Sequence, residues 1–315
     1  MTEKKKIRTV LGDIEPDQLG RVDYHEHLFQ VSPLLAGDEL DSEEKSREEA
    51  GLLVAAGIGA MIEATPTGLG RQPAAVARIS QATGLKVVHT TGAHHQGHYP
   101  DGHELRECAV DQLTARFIGD IETGFKNQHG EAETTPDGNP VRAGIAKAGI
   151  RYWTIGPFET RVLAAVAQTH RETNAGIMVH LDYGSAAHEV LDLLEELGVA
   201  PSRVVLAHID RNLDPGLHTE LAGRGAYLGY DGPARHREAP DSDIIKTIAA
   251  VADAGHADSI ILGGDVARAS RYTSYGGMPG LQYLPLRFLP RLEKTLGTEF
   301  LHQALTVNPS KLLTI

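Results

Sequence analysis

The sequence predicts an α/β fold, a (β/α)8 barrel that forms a single domain over residues 1–315. Eight short runs rich in β-branched residues recur along the chain, and each precedes a segment of helical periodicity, which is the pattern of a parallel sheet. No G-x-G-x-x-G follows the first run and no Walker sequence occurs, so a doubly wound nucleotide-binding sheet lacks support. No linker or low-complexity tract divides the 315 residues. A barrel of about 250 residues commonly forms one domain, which favours the single-domain interpretation.

The eight predicted strands begin with apolar residues and end in polar ones. They are Gly20–Tyr24, Ala60–Glu63, Lys86–Thr91, Ala143–Ala146, Gly176–Val179, Arg203–Ala207, Ala226–Gly229 and Ser259–Leu262. In such a barrel all strands are parallel and their C-terminal ends surround one mouth, where these folds carry their chemistry.

The clearest predicted helices lie on either side of the fifth strand, at Arg161–Asn174 and Ala186–Leu197. In the second helix Val190, Leu191 and Leu194 share one face, and a glycine follows as a stop signal.

Three segments are predicted to lie outside the barrel. Gly37–Glu49 is acidic and opens a helix, and Gly92–Gly102 is rich in His and Gly, so both are expected as surface additions. Gly130–Pro140 contains turn-forming residues and is expected as an exposed loop.

The charge and cysteine content exclude several classes of protein. Lys and Arg number 30 against 42 Asp and Glu, and the net charge of −12 argues against nucleic-acid or anionic-membrane partners. Cys108 is the only cysteine, so an internal disulfide and a cysteine zinc cluster are excluded. The basic residues within Met1–Lys6 precede no apolar run, so a signal peptide is not predicted. We therefore expect a cytoplasmic protein that acts on a small molecule.

Metal-ligand residues stand at the ends of several predicted strands. His25 and His27 follow the first strand with the spacing that brings two side chains to one face of an extended chain. His180 and His208 directly follow the fifth and sixth strands, and Asp265 follows the eighth. Because all these ends would meet at the barrel mouth, the pattern predicts a metal site there.

Lys147 follows the fourth strand among small and apolar neighbours. Such a lysine can simply extend to solvent. Beside two cations, however, desolvation and like charge would lower its pKa, and the neutral amine can take up carbon dioxide. The resulting carbamate is negatively charged and can bridge two metal ions.

These residues, in this order, resemble the binuclear amidohydrolase superfamily and, within it, the phosphotriesterase-like lactonase branch. Further matches are Gly68-Leu69-Gly70-Arg71, Pro201-Ser202-Arg203 and Val307-Asn308-Pro309. The resemblance implies a homodimer and two divalent ions per chain, usually zinc, manganese or cobalt. It implies that His25, His27 and Asp265 hold one ion, that His180 and His208 hold the other, and that N6-carboxylated Lys147 and a hydroxide lie between them.

The resemblance also implies catalytic roles. Asp265 would serve as ligand and general base, and Asp231 would relay the proton outward. The less favoured alternative is that Asp231-Gly232 only forms a turn after the seventh strand. Lactonases of this branch use a tyrosine after the third strand to assist the substrate carbonyl, and His94 stands at the aligned position. A histidine there makes a wide apolar pocket for organophosphate triesters less favoured. His95, His98 and His103 lie nearby, but no second group of ligand residues at strand ends supports a further metal site.

The loop after Asp265 contains the candidate substrate-binding residues Arg268, Arg271, Tyr272 and Tyr275. A guanidinium offers a planar fork of donors to a carboxylate or phosphate, so the substrate is expected to be anionic. Additional positive charge near the seventh strand would come from Arg235, Arg237 and Lys246. The alternative is that these arginines pair with surface acids.

The favoured hypothesis is a metal-dependent hydrolase of a small polar lactone or ester, such as a sugar lactone or its phosphate. Amide (N-acyl) hydrolysis and phosphotriester hydrolysis on the same site are the alternatives within the fold. A hypothesis of another class is a binding protein that kept the barrel without catalysis.

Overall fold

The computed structural model describes residues 5–315; the first part of the Met1–Lys6 segment therefore lies outside the described residues. Eight strands form one parallel sheet, with neighbours in chain order from β3 to β10. The strands of this sheet are β3 (Val22–Glu26), β4 (Ala60–Glu63), β5 (Lys86–Gly92), β6 (Ala143–Ile150), β7 (Gly176–Leu181), β8 (Val204–Ala207), β9 (Tyr227–Tyr230) and β10 (Ile260–Leu262). A separate antiparallel hairpin precedes them, formed by β1 (Ile7–Thr9) and β2 (Gly12–Ile14).

The first and last strands of the sheet lie side by side. The N–H of Asp265, just beyond β10, donates to the carbonyl of His25 in β3 at 2.8 Å. The sheet is therefore a nearly closed barrel, and the predicted (β/α)8 fold is confirmed.

Helices cover the outside of the barrel. They are α1 (Glu43–Ala55), α2 (Pro73–Thr83), α3 (Glu104–Glu107), α4 (Val110–Glu122), α5 (Pro157–Thr173), α6 (Ala187–Glu196), α7 (Pro215–Gly223), α8 (Asp241–Val251), α9 (Leu289–His302) and α10 (Asn308–Leu313). Val190, Leu191 and Leu194 are buried on the inner face of α6, as the periodicity predicts. No helix within residues 5–315 has both the length and the apolar character needed to cross a lipid bilayer.

Five predicted strands end too early, and in three of them the difference involves a candidate ligand. The structure extends β3, β6 and β7 so that His25, Lys147 and His180 lie inside strands and not beyond them. Polar residues usually mark the end of a strand, but at the mouth of this barrel they belong to the ends of the strands themselves. The side chains of these three residues therefore have rigid backbone support.

Two of the matched motifs stabilise the barrel. Asn308 is fully buried, and its amide donates to the carbonyls of Ala257 at 3.0 Å and Ile260 at 2.8 Å, at the start of β10. Arg203 donates to the carbonyls of Asn174 and Lys311, which joins α5 and α10 across the bottom of the barrel.

Candidate metal centre

A cavity of about 610 Å³ opens at the C-terminal mouth of the barrel. All six predicted metal ligands line it: His25, His27, Lys147, His180, His208 and Asp265. Five of these residues are buried, and His180 is partly exposed. The structure therefore brings together the six residues that the sequence placed on five different strand ends.

His25, His27 and Asp265 present a compact set of donor atoms. The Nε2 atoms of His25 and His27 lie 3.8 and 3.7 Å from Oδ1 of Asp265. One donor atom of each residue lies within 4.8 Å of the others. Ligand atoms that share an ion at bond lengths of about 2.0–2.2 Å are separated by distances of this order.

Thr65 determines which nitrogen of His27 is free. Its hydroxyl donates to the carbonyl of Phe29 at 2.6 Å, so its oxygen must accept the Nδ1–H of His27 at 2.7 Å. The proton of the neutral ring is therefore on Nδ1, and Nε2 carries a lone pair toward the cavity.

Asp231 holds the ring proton on Nδ1 of two further histidines, His25 and His208. Its carboxylate accepts from Nδ1 of His25 at 3.1 Å and from Nδ1 of His208 at 2.7 Å. The hydroxyl of Tyr24 is a third donor to it. Burial opposes ionisation of Asp231, but His208 and His25 hold its pKa well below the usual range. Asp231 is fully buried and does not line the cavity, so it acts on the ligands from behind.

His180 is oriented through Nε2, whereas His25, His27 and His208 are oriented through Nδ1. Its Nε2 donates to the carboxylate of Asp182 at 2.7 Å, which leaves Nδ1 with the lone pair. Burial lowers the pKa of His180 to about 4 and lowers the pKa values of His25, His27 and His208 as well. The centre thus contains four neutral imidazoles, each with one unprotonated nitrogen, as metal ligation requires.

Lys147 lies between these ligands. Its Nζ is 3.4 Å from Nε2 of His25 and donates to the carbonyl of Ala64 at 2.8 Å. Burial lowers its pKa to about 8, against the attraction of Asp265, Glu63 and Asp231. The neutral amine is accordingly within reach near physiological pH.

Asp265 is a buried carboxylate between two guanidinium groups. Burial disfavours its charge, but the Arg235 guanidinium, which hydrogen-bonds to the carboxylate, holds its pKa far below the usual range. Arg211 lies 3.4 Å from the same carboxylate. Asp265 has a φ of 45° and His208 a φ of 64°, both left-handed. Such conformations are costly for these residue types and concentrate at functional sites.

The segment Gly92–Gly102 is not a surface addition. His94, His95 and His98 within it are buried and line the cavity. Composition alone suggested an exposed loop, but the loop folds inward over the mouth because Tyr99 is anchored there: its hydroxyl donates to the carbonyl of Thr67 at 2.9 Å and accepts from the N–H of His94.

Of the four predicted substrate-binding residues, only Arg268 lines the cavity. Arg271 instead donates to the backbone carbonyl of Asp265 at 3.2 Å. Tyr272 is fully buried and donates to the carbonyl of His27. Tyr275 is bound at the start of α1, where its hydroxyl accepts from the N–H of Ser42 at 2.8 Å. These three residues lie outside the cavity lining and contact the loops that carry the candidate ligands, so their role in substrate binding stays a prediction.

Of the three basic residues predicted near the seventh strand, one lines the cavity and two do not. Arg235 lines the cavity, whereas Lys246 pairs with Asp243 on the surface at 2.8 Å. Arg237 is exposed and lies outside the cavity lining.

Sequence reasoning missed several residues of the site. Asp182 and Arg211 come two and three positions after a predicted ligand, and Arg151 directly follows β6, so their position at strand ends was a usable signal. Thr65 had no such signal, because a threonine after a strand is common and its role depends on the fold.

Comparisons with known proteins agree with this geometry. The sequence model of the phosphotriesterase family matches residues 5–313. The chain is 29% identical to an N-acetyltaurine hydrolase of Danio rerio, over 98% of each chain. It is 28% identical to a phospho-furanose lactonase of Mycoplasmopsis synoviae, over 99% of this chain and 92% of that protein. A lactonase structure from Listeria monocytogenes superposes with a TM-score of 0.89 at 30% identity, over 98% of each chain.

Proposed function

Since the chain belongs to the phosphotriesterase family and is a metal-dependent hydrolase, we propose that it opens a small, polar, anionic lactone or ester with two divalent ions bound at the barrel mouth. The observation that carries the proposal is the matched protonation pattern of His25, His27, His180 and His208. Each has one nitrogen that donates to a hydrogen-bond partner and another nitrogen that carries the lone pair. A binding protein without catalysis has no need of this arrangement together with Asp265.

The donor set fits two ions. His25, His27 and Asp265 would hold the first, and His180 and His208, whose ring centroids are 4.5 Å apart, would hold the second. Lys147 as a carbamate would supply the shared anionic ligand. Nitrogen and carboxylate donors suit zinc, manganese or cobalt. When bound, two such ions lower the pKa of a shared water and polarise the bond to be cleaved.

Asp265 has the position and charge of the general base. Because Arg235 holds its pKa low against the effect of burial, Asp265 is ionised throughout the physiological range and can hold the attacking water through a hydrogen bond. As the water attacks, Asp265 accepts its proton. Asp231 stays behind the ligands and maintains their orientation; we infer that it is a positioning residue for His25 and His208.

His94 supports the carbonyl end of the substrate. Its Nδ1 accepts the N–H of His95 at 2.8 Å, so the ring proton is on Nε2. A neutral imidazole N–H at the mouth can donate to a carbonyl oxygen as negative charge develops there.

The anionic character of the substrate follows from the charges of the cavity. Arg235 and Arg211 pair with Asp265, and Arg211 also pairs with Glu238. The guanidinium of Arg268, in contrast, has no hydrogen bond or ion pair to another residue in the described part of the chain. Arg268 is therefore available to bind a carboxylate or phosphate.

Amide hydrolysis is the second candidate. It is favoured by the relative named N-acetyltaurine hydrolase, which aligns over 98% of this chain. The same centre could cleave a C–N bond if a proton reaches the leaving amine. A screen of the metal-loaded protein against lactones, phosphorylated lactones, N-acyl amino acids and phosphotriesters decides between these reactions. Preferred turnover of charged lactones supports the proposal, and preferred turnover of neutral amides or triesters contradicts it.

A further inference from the structure

Three buried imidazoles stand beside the metal centre at the end of β5. The ring centroids of His94, His95 and His98 lie 3.7–4.6 Å apart, and one nitrogen of each lies within 4.8 Å of the others. All three line the cavity. Three histidines this close could hold a metal ion. Whether they can do so depends on which ring nitrogen of each carries the proton.

In His94 and His95 the Nδ1 atom accepts a hydrogen bond, whereas in His27 the Nδ1 atom donates one. Nδ1 of His94 accepts the backbone N–H of His95 at 2.8 Å, and Nδ1 of His95 accepts the backbone N–H of Gly97 at 3.1 Å. An accepting nitrogen carries no proton, so the proton of each ring is on Nε2. Coordination through Nε2 would move this proton to Nδ1, where it would face another N–H. Both rings are therefore hydrogen-bond donors to the cavity.

His98 contacts a side chain through its Nδ1. The hydroxyl oxygen of Ser32 accepts the N–H of Leu34 at 3.2 Å and lies 2.8 Å from Nδ1 of His98. This contact suits either tautomer of His98, and with the hydroxyl as the donor the ring proton is on Nε2. The Nε2 atoms of the three rings have no hydrogen-bond partner within residues 5–315.

Gly149 allows this arrangement. A Cβ at this position of β6 would lie 3.0 Å from Nδ1 of His94 and 2.9 Å from the N of His95. Because Gly149 has no side chain, the backbone of His94 and His95 can lie directly against β6. In this position the N–H of His95 forms its hydrogen bond to Nδ1 of His94.

Arg151 adds a positive charge to the same wall. It follows β6, lines the cavity and acts electrostatically on His95. Its guanidinium has no hydrogen bond or ion pair to any other described residue. In the strand order, β6 is opposite β10, which precedes Arg268. The cavity thus has unpaired guanidinium groups on two opposite sides of the metal centre.

We propose that His95, His98 and Arg151 form a second anion subsite, which binds a phosphate-like oxyanion of the substrate through N–H donors and does not bind a third metal ion. His94 stands between this subsite and the metal centre, and its single N–H remains with the carbonyl oxygen of the substrate. Neutral N–H groups with one guanidinium suit an acceptor-only group such as phosphate or sulfonate. The inference rests on the proposed function in one respect, namely that the bound group belongs to the substrate. It defines the substrate class as a molecule with two anionic groups and the scissile bond between them.

The test uses the metal-loaded protein, labelled with ¹⁵N-histidine, and inorganic phosphate as the probe. Long-range ¹H–¹⁵N NMR spectra report the protonated nitrogen of each ring, and single variants assign the signals. We expect Nε2–H forms for His94, His95 and His98, and shifts of the His95 and His98 signals on addition of phosphate. In Arg151→Met, the phosphate concentration needed for half of the shift should rise about tenfold or more, as the loss of a charge-assisted hydrogen bond predicts.

Arg268→Met is the matched control, because it removes a guanidinium from the opposite wall and should leave the phosphate response of these two rings unchanged. Nδ1–H forms, no response to phosphate, or an equal loss in the two arginine variants would overturn the inference. A third divalent ion per chain that disappears in His98→Leu would overturn it too. These results do not depend on turnover, so failure of the hydrolysis screen with an intact phosphate response would contradict the proposed function and leave the subsite standing.

Discussion

The hydroxyl of Thr65 lies 2.7 Å from Nδ1 of His27 and can only accept there, since its proton is donated to the carbonyl of Phe29. One threonine thereby leaves Nε2 of His27 with the lone pair that a metal ligand needs. Asp231 and Asp182 accept the ring N–H of the other three histidines in the same way. The protonation pattern of the four histidines is therefore maintained by their hydrogen-bond partners.

Thr65→Val should weaken binding of the ion held by His27. The variant keeps the shape of the side chain but removes the acceptor that holds the proton on Nδ1. Loss of such a partner typically lowers metal affinity by about 10–100-fold. Competition with a chelator measures the affinity, and Thr65→Ser, which keeps the hydroxyl, is the control. Equal affinities of Thr65→Val and wild type would show that Thr65 does not select the ring nitrogen.

Lys147 should carry a carbamate in the metal-loaded protein. Burial lowers its pKa to about 8, which makes the neutral amine available to carbon dioxide. A ¹³C NMR signal of the carbamate should appear after exchange with ¹³C-bicarbonate. Lys147→Ala should lose its metal, and short carboxylic acids should restore part of it. Full metal content and activity of Lys147→Ala without added acid would refute the bridging role.

Asp265→Asn should reduce turnover by about two orders of magnitude or more, because a positioned general base is lost. The amide remains similar in size and can still accept hydrogen bonds from Arg235. Steady-state kinetics should be measured on variant samples of known metal content. Near-normal turnover with metals retained would assign the base to another residue.

Arg268 and Arg271 should behave differently despite their similar sequence context. Arg268→Met should lower kcat/KM for an anionic lactone by about ten- to a hundredfold, as loss of a charge-assisted hydrogen bond predicts, and affect a neutral lactone of the same ring size far less. Arg271→Met should reduce turnover of both substrates equally, because Arg271 holds the backbone carbonyl of Asp265. A charge-selective loss in Arg271→Met, or none in Arg268→Met, would contradict this assignment.

The apoprotein should lose stability as the pH falls from about 6.5 toward 3, in part through His89. Burial and the nearby Arg71 charge lower the pKa of His89 from 6.5 to about 3, so in this range the unfolded chain binds a proton that the folded chain does not. The contribution of His89 is present above pH 6.5 and is lost below it. His89→Gln should reduce the slope of unfolding free energy by roughly 1.4 kcal/mol per pH unit. An unchanged slope in urea-unfolding series would show that His89 titrates normally.

The parallel barrel and the six ligand positions could be predicted because both depend on strand ends that are visible in the sequence. His180 and His208 each follow an apolar run, and the barrel brings all such ends together. The roles of Tyr272 and Arg271 could not be predicted in this way. Their side chains turn toward the ligand loops, and this direction depends on the left-handed backbone at Asp265 and on long-range contacts such as the bond from Tyr272 to His27. The single domain, the homodimer and the cytoplasmic location stay predictions.

The central claim is that the mouth of this barrel holds two divalent ions per chain. Elemental analysis of the protein after reconstitution with zinc, manganese or cobalt and removal of unbound metal tests it most directly. The account predicts two ions per chain in the wild-type protein and a loss of metal in Lys147→Ala. One ion or only trace metal in the wild-type protein, under conditions in which it is folded, would contradict the binuclear centre.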